Sequence, residues 1–476
     1  MVFMVDVLLI IPKYVMSNIT TVKKERGDET LNNIQFDPPL HVTYLAACLE
    51  KENLSVKLID EGVLSLKHKN YDIIDYVKKE NPLVIGVHVN SFSLHRVYNL
   101  IRSLKDNLKS IIVIGGPHVN FDNNSVIYLD ADYGFKGECE LTFTSFVKNL
   151  KVKQNINDIP GLIRKSGNNI IVNNNTLIEN LDDLPFPARD LTPIDDYYNP
   201  VLRGKVASIM ASRGCVYNCI FCSSPSKRIR FRSPENVVAE IELLARECFE
   251  VVTFQDDFLT YNREWIKRIC ELIIERKISI KWNTATRADF VDNELLSLMK
   301  KSGCTLIGCG VESGSDRIRN NVLWKGITNE KLLKGFKMIR DAGIKSAAYV
   351  MFGHPTETLK DMNETIKFIL KLDPDYADFN LSTIIPGTRI FDVALKEGKI
   401  NLNEWKDVSE DKKYVPVYIP DGISLEQMQE IQKKAFFRFY YRPKVLWREI
   451  GSINSFADFT FKAKKALQLF SYFSTA

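Results

Sequence analysis

Hydrophobic residues in the first 150 positions fall in short, unbroken, β-branched runs, separated by stretches whose apolar positions recur every three or four residues. The runs are VDVLLII (5–11), SVKLID (55–60), LVIGVHV (83–89), SIIVIGG (110–116) and ADYGF (131–135). Helical periodicity fills the intervals near 40–52, 70–80, 93–107, 122–129 and 139–150. Strands apolar on both faces that alternate with helices predict a parallel sheet covered on both sides, a doubly wound, Rossmann-like α/β domain over 1–150. Ligands of such sheets sit beyond the carboxyl ends of the strands, where LIDEG, HVNSFS and GGPHV fall in this chain.

Residues 151–203 break this rhythm. VNNNTLIENLDDLPFPARDLTPIDDYYNP (172–200) is rich in Asn, Asp and Pro and reads as a linker. A second alternating series occupies 204–395, with strands at 205–212, 250–257, 279–287, 304–313, 344–353 and 376–387. Helical patterns at 234–247, 262–276, 292–301, 328–342 and 358–371 separate them. Six such units predict a partial (β/α)6 barrel, and Gly and polar residues gather just after each strand, where barrels keep their active sites. From 396 to 476 the pattern is helical.

Composition and charge narrow the function classes. The chain is 45% hydrophobic and 26% charged, as soluble globular proteins are. No run approaches the roughly 20 apolar residues of a membrane span. The opening MVFMVDVLLIIPKY lacks a basic n-region and a small-residue cleavage site, so it reads as a first strand rather than a signal peptide. With an odd count of nine cysteines, which argues against a disulfide framework, the expected compartment is the cytoplasm. A net charge of +5 gives no case for nucleic-acid binding. The excess is concentrated at the end, where residues 425–476 hold nine Lys/Arg against four acids. KKAFFRFYYRPKVLWREI (433–450) and FADFTFKAKKALQLFSYF (456–473) interleave basic and aromatic residues. They fit a helical cap on the barrel, or peripheral contact with an anionic membrane or a greasy substrate.

Three cysteines carry the chemistry. SRGCVYNCIFCSSPS (212–226) places Cys215, Cys219 and Cys222 as C-x3-C-x2-C immediately after a predicted strand. Gly214 ahead of them allows the tight loop that convergent thiolates need. Four cysteines saturate a four-iron cluster, whereas three leave one iron open to an outside ligand. Zinc would need a fourth ligand, and the nearest downstream histidine is His354. Cys48, Cys139, Cys248, Cys270, Cys304 and Cys309 sit mostly among apolar neighbours and read as inert thiols.

This spacing, with Phe221 before the last cysteine, resembles the signature of the radical S-adenosylmethionine (SAM) superfamily. FQDDFLT, GVESGS, MFGHPTET and IIPGT, after the second, fourth, fifth and sixth strands of the series, resemble that superfamily's strand-end motifs. The resemblance implies a [4Fe–4S] cluster on Cys215, Cys219 and Cys222 whose open iron chelates SAM. An external one-electron reductant of the flavodoxin or ferredoxin type would drive cleavage to methionine and a 5′-deoxyadenosyl radical. It also implies SAM contacts from Phe221, Asp257, Arg287, Glu312, Ser313 and Gly353. Asp256 would line the pocket, with His354 and Pro355 beside the glycine. As plain structure, Asp257 and Ser313 would satisfy helix termini instead.

The first domain resembles the cobalamin-binding fold through DPPLHVTYLAACLEKENLSVKLID, IGVHVNSFS, VIGGPHVN and GFKGECELT. The whole chain is similar to the subfamily of the anaerobic magnesium-protoporphyrin monomethyl ester cyclase and the cobalamin-dependent radical C-methyltransferases. This implies cobalamin contacts from Asp60, Ser91, Gly115, Gly116, Gly137 and Glu138. One departure stands out: DEGVLS, after the second strand, offers Asp60, Glu61 and Gly62 but no histidine of an axial-ligand D-x-H-x-x-G motif. The implied activity is C-methylation of an unactivated carbon in a small-molecule or lipid-like substrate. The alternatives are radical cyclisation, C–C coupling or rearrangement of a lipid, porphyrin or secondary metabolite, and a non-catalytic iron–sulfur protein. Methylthiolation ranks low, because that class carries a different amino-terminal domain with its own cysteines, and residues 1–200 hold only Cys48 and Cys139.

Overall fold

The structure, a computed structural model, describes residues 4–13, 38–67, 71–199, 201–202, 204–224, 226–406, 408 and 416–451. The first sheet contains β1 (Val5–Ile11), β2 (Val56–Asp60), β3 (Pro82–His88), β4 (Ile111–Gly115), β5 (Tyr133–Phe135), β6 (Leu162–Ser166) and β7 (Asn169–Val172). Its order is β2-β1-β3-β4-β5-β6-β7. The first five strands pair in parallel, and β6 and β7 add an antiparallel hairpin at the edge. The order 2-1-3-4-5 reverses direction at β1 and β3, which makes their carboxyl ends the crevice for a ligand.

Burial on both faces explains the continuous apolar strands. Val7, Leu9 and Ile11 of β1 pack under α1 (Leu40–Lys51), while Leu8 and Ile10 face the opposite layer. Next in the chain come α2 (Glu61–Lys67), α3 (Ile73–Glu80), α4 (Leu94–Asn107) and the short turns α5 (Pro117–Phe121) and α6 (Ser125–Tyr128). The stretch expected as a helix near 122–129 holds the single turn α6, with α5 just before it. With α7 (Glu140–Lys151), α1 shields one side of the sheet, and α3 and α4 shield the other.

Part of the stretch read as linker is ordered secondary structure. The hairpin β6–β7 lies inside 151–203, closed at Gly167 with φ +60, and it completes the first sheet. Its strands are short and its turn polar, so a composition rich in Asn hid it.

The second sheet is the predicted half barrel. Its order is β8 (Tyr198–Asn199), β9 (Gly204–Ile209), β12 (Val251–Phe254), β13 (Lys281–Thr286), β14 (Cys304–Glu312), β15 (Lys345–Phe352) and β16 (Tyr376–Leu381). All pairings are parallel except β8 with β9, and each parallel strand neighbours its predecessor in the series. A two-residue ribbon of β10 (Ser212–Arg213) and β11 (Arg230–Phe231) stands between β9 and the first barrel helix. The helices are α8 (Pro234–Arg246), α9 (Arg263–Glu275), α10 (Asn293–Lys301), α11 (Asn329–Asp341) and α12 (Leu359–Leu372). Each starts where a side chain caps it: Ser233, Asn262, Asp292, Thr328 and Thr358 accept from the backbone of the first turn.

After the barrel come α13 (Arg389–Lys396), α14 (Leu402–Lys406), α15 (Leu425–Tyr440) and α16 (Pro443–Gly451). Met428, Ile431, Ala435 and Phe439 of α15 are buried in the barrel's core. Tyr440 donates to Ala377 O at 2.8 Å, and Arg442 and Arg448 pair with Asp373 and Asp375. The first basic–aromatic stretch is therefore a helical cap on β16. The second, 456–473, lies outside the described residues. Among the described residues no helix is long and apolar enough to cross a membrane.

Candidate active site between the two sheets

The cysteine loop is anchored at both ends. The ribbon pairs Ser212 with Phe231 and Arg213 with Arg230, so residues 214–229 leave and return at one point. Gly214 has φ +104, and a Cβ there would lie 2.4 Å from Arg228 O, so only glycine fits the crossing. Cys215 N donates to Ser226 O at 2.9 Å, and Ile220 N to Leu323 O at 3.2 Å. Ile220 O in turn accepts from Ile390 N at 3.0 Å, which ties the loop to α13.

Cys215 and Cys219 are half-buried and Cys222 is exposed, and none of the three is in a disulfide. Burial raises the Cys219 and Cys222 thiols, against the pull of Lys325 on Cys219. A cation beside the loop is what thiolate ligands require. Among the described residues no His, Cys, Asp or Glu group converges on one metal-ion point. A four-iron cluster poses a different demand, because three cysteines then bind three separate irons at its corners. Three thiols on one clamped loop fit that demand.

Glu312 ends β14 in a left-handed conformation, φ +61, that non-glycine residues seldom adopt. Its carboxylate is buried and accepts from Lys325 Nζ at 2.6 Å. Gly310 makes room: a Cβ there would lie 2.1 Å from Glu312 Oε1 and 2.4 Å from Lys325 Nζ. Lys325 is a residue that sequence reasoning missed. It lies in a loop with no motif of its own, and only folding brings it to Glu312.

The other expected SAM contacts divide into two groups. Asp257 is exposed and accepts from Ser224 Oγ at 2.9 Å, on the cysteine loop. Phe221 is half-buried and packs beside Ile220 in a cluster with Ile384 and Ile390. Both remain beside the cysteines. Arg287 instead braces the protein, donating to Lys325 O at 2.6 Å, Gly326 O at 3.2 Å and both Asp289 oxygens at 3.0 Å. Its guanidinium also lies 3.9 Å from the Tyr217 ring centroid. The Ser313 hydroxyl is buried against Thr365 Oγ1 at 3.1 Å and accepts from Ser315 N. Gly353, φ +92, is pressed against Met428 and Tyr418, which a Cβ would strike at 2.3 and 2.5 Å. Asp256 is buried under Ser212 Oγ at 2.6 Å, and burial pushes its carboxyl up to about 7.

In the first domain, Gly115 and Gly116 lie at the carboxyl edge of β4. No described atom would come within 4 Å of a Cβ on Gly115, whereas one on Gly116 would strike Val89 O and the His88 ring. Ser91 shares a 2.9 Å hydrogen bond with His118 Nδ1, whose Nε2 meets Tyr128 OH at 2.6 Å. Asp60 is held by Tyr197 OH at 2.8 Å. Gly137 donates to Asn120 Oδ1 at 2.7 Å, and Glu138 pairs with Arg230 and Arg213 of the ribbon. Glu138 thus joins the first domain to the anchor of the cysteine loop.

The carboxyl edges of the two sheets meet. Gly387, beyond β16, faces Phe121 of α5 so closely that a Cβ would lie 1.8 Å from the ring. Lys406 pairs with Asp122 at 3.3 Å, and His95 meets Val408 O at 2.8 Å.

Known proteins share this arrangement. Residues 209–369 match the radical SAM superfamily, and residues 34–147 match the B12 binding domain. An uncharacterized methyltransferase of Pyrococcus horikoshii is 33% identical over 433 residues, covering 88% of this chain and 91% of the relative. A Methanocaldococcus jannaschii relative named as a methylthiotransferase is 28% identical, over 70% of this chain and 76% of its own. The anaerobic magnesium-protoporphyrin IX monomethyl ester cyclase of Rubrivivax gelatinosus is 24% identical, over 85% and 74%. Among solved structures, the radical SAM methyltransferase TsrM of Kitasatospora setae superposes with a TM-score of 0.70 at 18% identity, covering 92% of this chain and 89% of that one.

Proposed function

Because the chain belongs to the radical SAM enzymes that carry a B12 binding domain, we propose that it methylates an unactivated carbon of a small-molecule substrate held between its two sheets. The observation that carries this reading is the contact of the two carboxyl edges through Phe121 and Gly387. That contact joins the loop beyond β16 to α5, on the carboxyl side of both sheets, the side on which the cysteine loop and Gly115 also lie.

When bound, the cluster with SAM supplies a hydrogen-abstracting radical, and cobalamin supplies a transferable methyl group. Cys215, Cys219 and Cys222 would hold the cluster. The Glu312–Lys325 pair has opposite charges that match the amino and carboxylate groups of the methionine moiety. Asp257 and Phe221 flank the loop. Gly115 leaves backbone open to a corrin, and Gly116 lets the chain pass close to Val89 O and the His88 ring. The Glu138–Arg230 link fixes the loop's anchor to the first domain.

The test is product analysis of the reduced, reconstituted enzyme with candidate substrates. Methyl transfer yields S-adenosylhomocysteine together with 5′-deoxyadenosine. The second reading, radical cyclisation or coupling, is favoured by similarity to the porphyrin cyclase over 85% of the chain. It predicts 5′-deoxyadenosine alone. No SAM cleavage at all would leave an iron–sulfur protein without catalysis.

A further inference from the structure

Ile220 follows Cys219 directly, and its backbone ties the cysteine loop to Leu323 and to Ile390 of α13. Its side chain also lines a surface groove of about 470 Å³, together with Val322, Trp324, Arg389, Asp392 and Val393. One residue therefore separates this groove from a thiol of the loop. The other six cysteines are scattered through the sequence and offer no second cluster. An electron for the cluster has to arrive from outside, across the wall of the loop itself.

The groove is furnished for a protein partner. Trp324 is 46% exposed and sits at φ +57, a conformation that bulky residues seldom adopt. Lys325, the next residue, is buried against Glu312, so neighbouring side chains serve opposite sides of the same segment. The Arg389 guanidinium lies 4.5 Å from the Trp324 ring centroid, which holds the indole in place over the groove. Exposed Trp and Arg beside an apolar hollow are the residue types that carry most binding energy at protein interfaces.

Charge selects the kind of partner. The cysteine loop holds Lys227 and Arg228, both exposed, and no acid from 214 to 229. Lys227 donates to a neutral partner, Tyr217 O at 2.7 Å, and Arg228 meets Glu179 at 2.7 Å. With Arg389 and Asp392 of the groove, three cations stand against two acids, which favours a partner with an acidic rim.

We propose that an acidic one-electron carrier protein docks in this groove on Trp324 and Arg389, and that its electron enters the cluster across Ile220. This rests on the radical SAM reading above and gives the reductant a face on the chain. One electron leaves the carrier's reduced centre and arrives on the cluster. The carrier is oxidised and the cluster reduced by one each, with no bond made or broken.

Rapid-freeze electron paramagnetic resonance of the reconstituted full-length protein follows cluster reduction directly, without requiring turnover. Reduced flavodoxin and reduced ferredoxin are the carrier probes, and dithionite is the small reductant that needs no docking face. Arg389→Glu and Trp324→Gly should each slow reduction by the carriers about tenfold or more and leave reduction by dithionite unchanged. Glycine at 324 keeps the left-handed backbone, and with it the seat of Lys325. Arg389→Lys should recover most of the rate. Added salt should slow the carriers with the wild type and much less with Arg389→Glu. Trp447→Ala, on the exposed Trp447 of α16, is the control and should change nothing. Carrier rates unchanged in both groove variants would place electron entry elsewhere, as at the exposed Cys222, and overturn the proposal. Equal slowing with dithionite overturns it too, by making the two residues supports of the loop. So does a wild type that dithionite reduces and neither carrier does. A chain that assembles no cluster, or cleaves no SAM with dithionite, overturns the radical reading itself, before any carrier is added.

Discussion

Lys325 reaches back thirteen residues to donate a 2.6 Å hydrogen bond to the buried carboxylate of Glu312. The pair stands in a gap that Gly310 leaves open, and its backbone is strained at Glu312. Strain of this kind costs about 1–3 kcal/mol and persists where the surroundings impose it. An ion pair out of water likewise needs a reason beyond stability, since an apolar pair often serves as well.

Lys325→Met is expected to lower SAM cleavage at least tenfold and to destabilise the fold by about 3 kcal/mol, because it leaves Glu312 charged and buried. 5′-Deoxyadenosine formation and urea unfolding measure the two effects. Glu312→Gln with Lys325→Met should recover much of the stability and none of the cleavage. Full cleavage in the double variant would make the pair a brace and nothing more.

Cys219→Ala should abolish both the brown colour of the reconstituted protein and 5′-deoxyadenosine formation. Iron content per chain and the reaction products check this. Cys248→Ala is the control: that thiol is exposed, outside the clamped loop, and its loss should change neither.

Glu138 ties the first domain to Arg230 and Arg213, the ribbon that closes the cysteine loop. Glu138→Ala leaves the buried Arg230 without its carboxylate, while Arg213 keeps Glu140 at 2.6 Å, and is expected to cost about 3 kcal/mol at the interface. Thermal unfolding should then separate into two transitions, with the first domain more open to proteolysis. A single, unshifted transition would show that the remaining contacts, Arg213 with Glu140 and Arg232 with Tyr44 among them, hold the domains together without Glu138.

Much of this was legible in the chain, for identifiable reasons. Strands such as VDVLLII are buried on both faces, so their apolar runs are continuous, and the barrel helices begin at side-chain caps that can be read directly. The cysteine loop was legible because its chemistry is local. Long-range pairings were not. Lys325 and Arg230 carry no local signal, and β6–β7 is too short and polar to show a period. Arg287 and Ser313 have residue types that suit a ligand, yet their polar atoms are taken up by Lys325 O, Asp289 and Thr365.

Glu357 offers a pH test of the loop after β15. Its Oε2 accepts from Gly353 N at 2.7 Å and His354 N at 3.0 Å, while Oε1 is buried with no partner among the described residues. Burial pushes the carboxyl up to about 8, so the folded chain holds a proton there that the unfolded chain releases near 4.5. A group whose folded pKa is raised contributes fully below its unfolded pKa and loses that contribution as pH rises through the folded value. Stability from Glu357 should therefore decline between about pH 4.5 and 8. Glu357→Gln keeps an acceptor for both amides and cannot ionise. Titrations elsewhere are shared by the two proteins and cancel in their difference. Between pH 5.5 and 7.5 the wild type should lose about 2 kcal/mol relative to Glu357→Gln, close to the limit of 1.4 kcal/mol per pH unit for one proton. Urea unfolding of both proteins at the two pH values measures this, and parallel profiles would mean that Glu357 is ionised in the folded state and that water or a cation reaches Oε1.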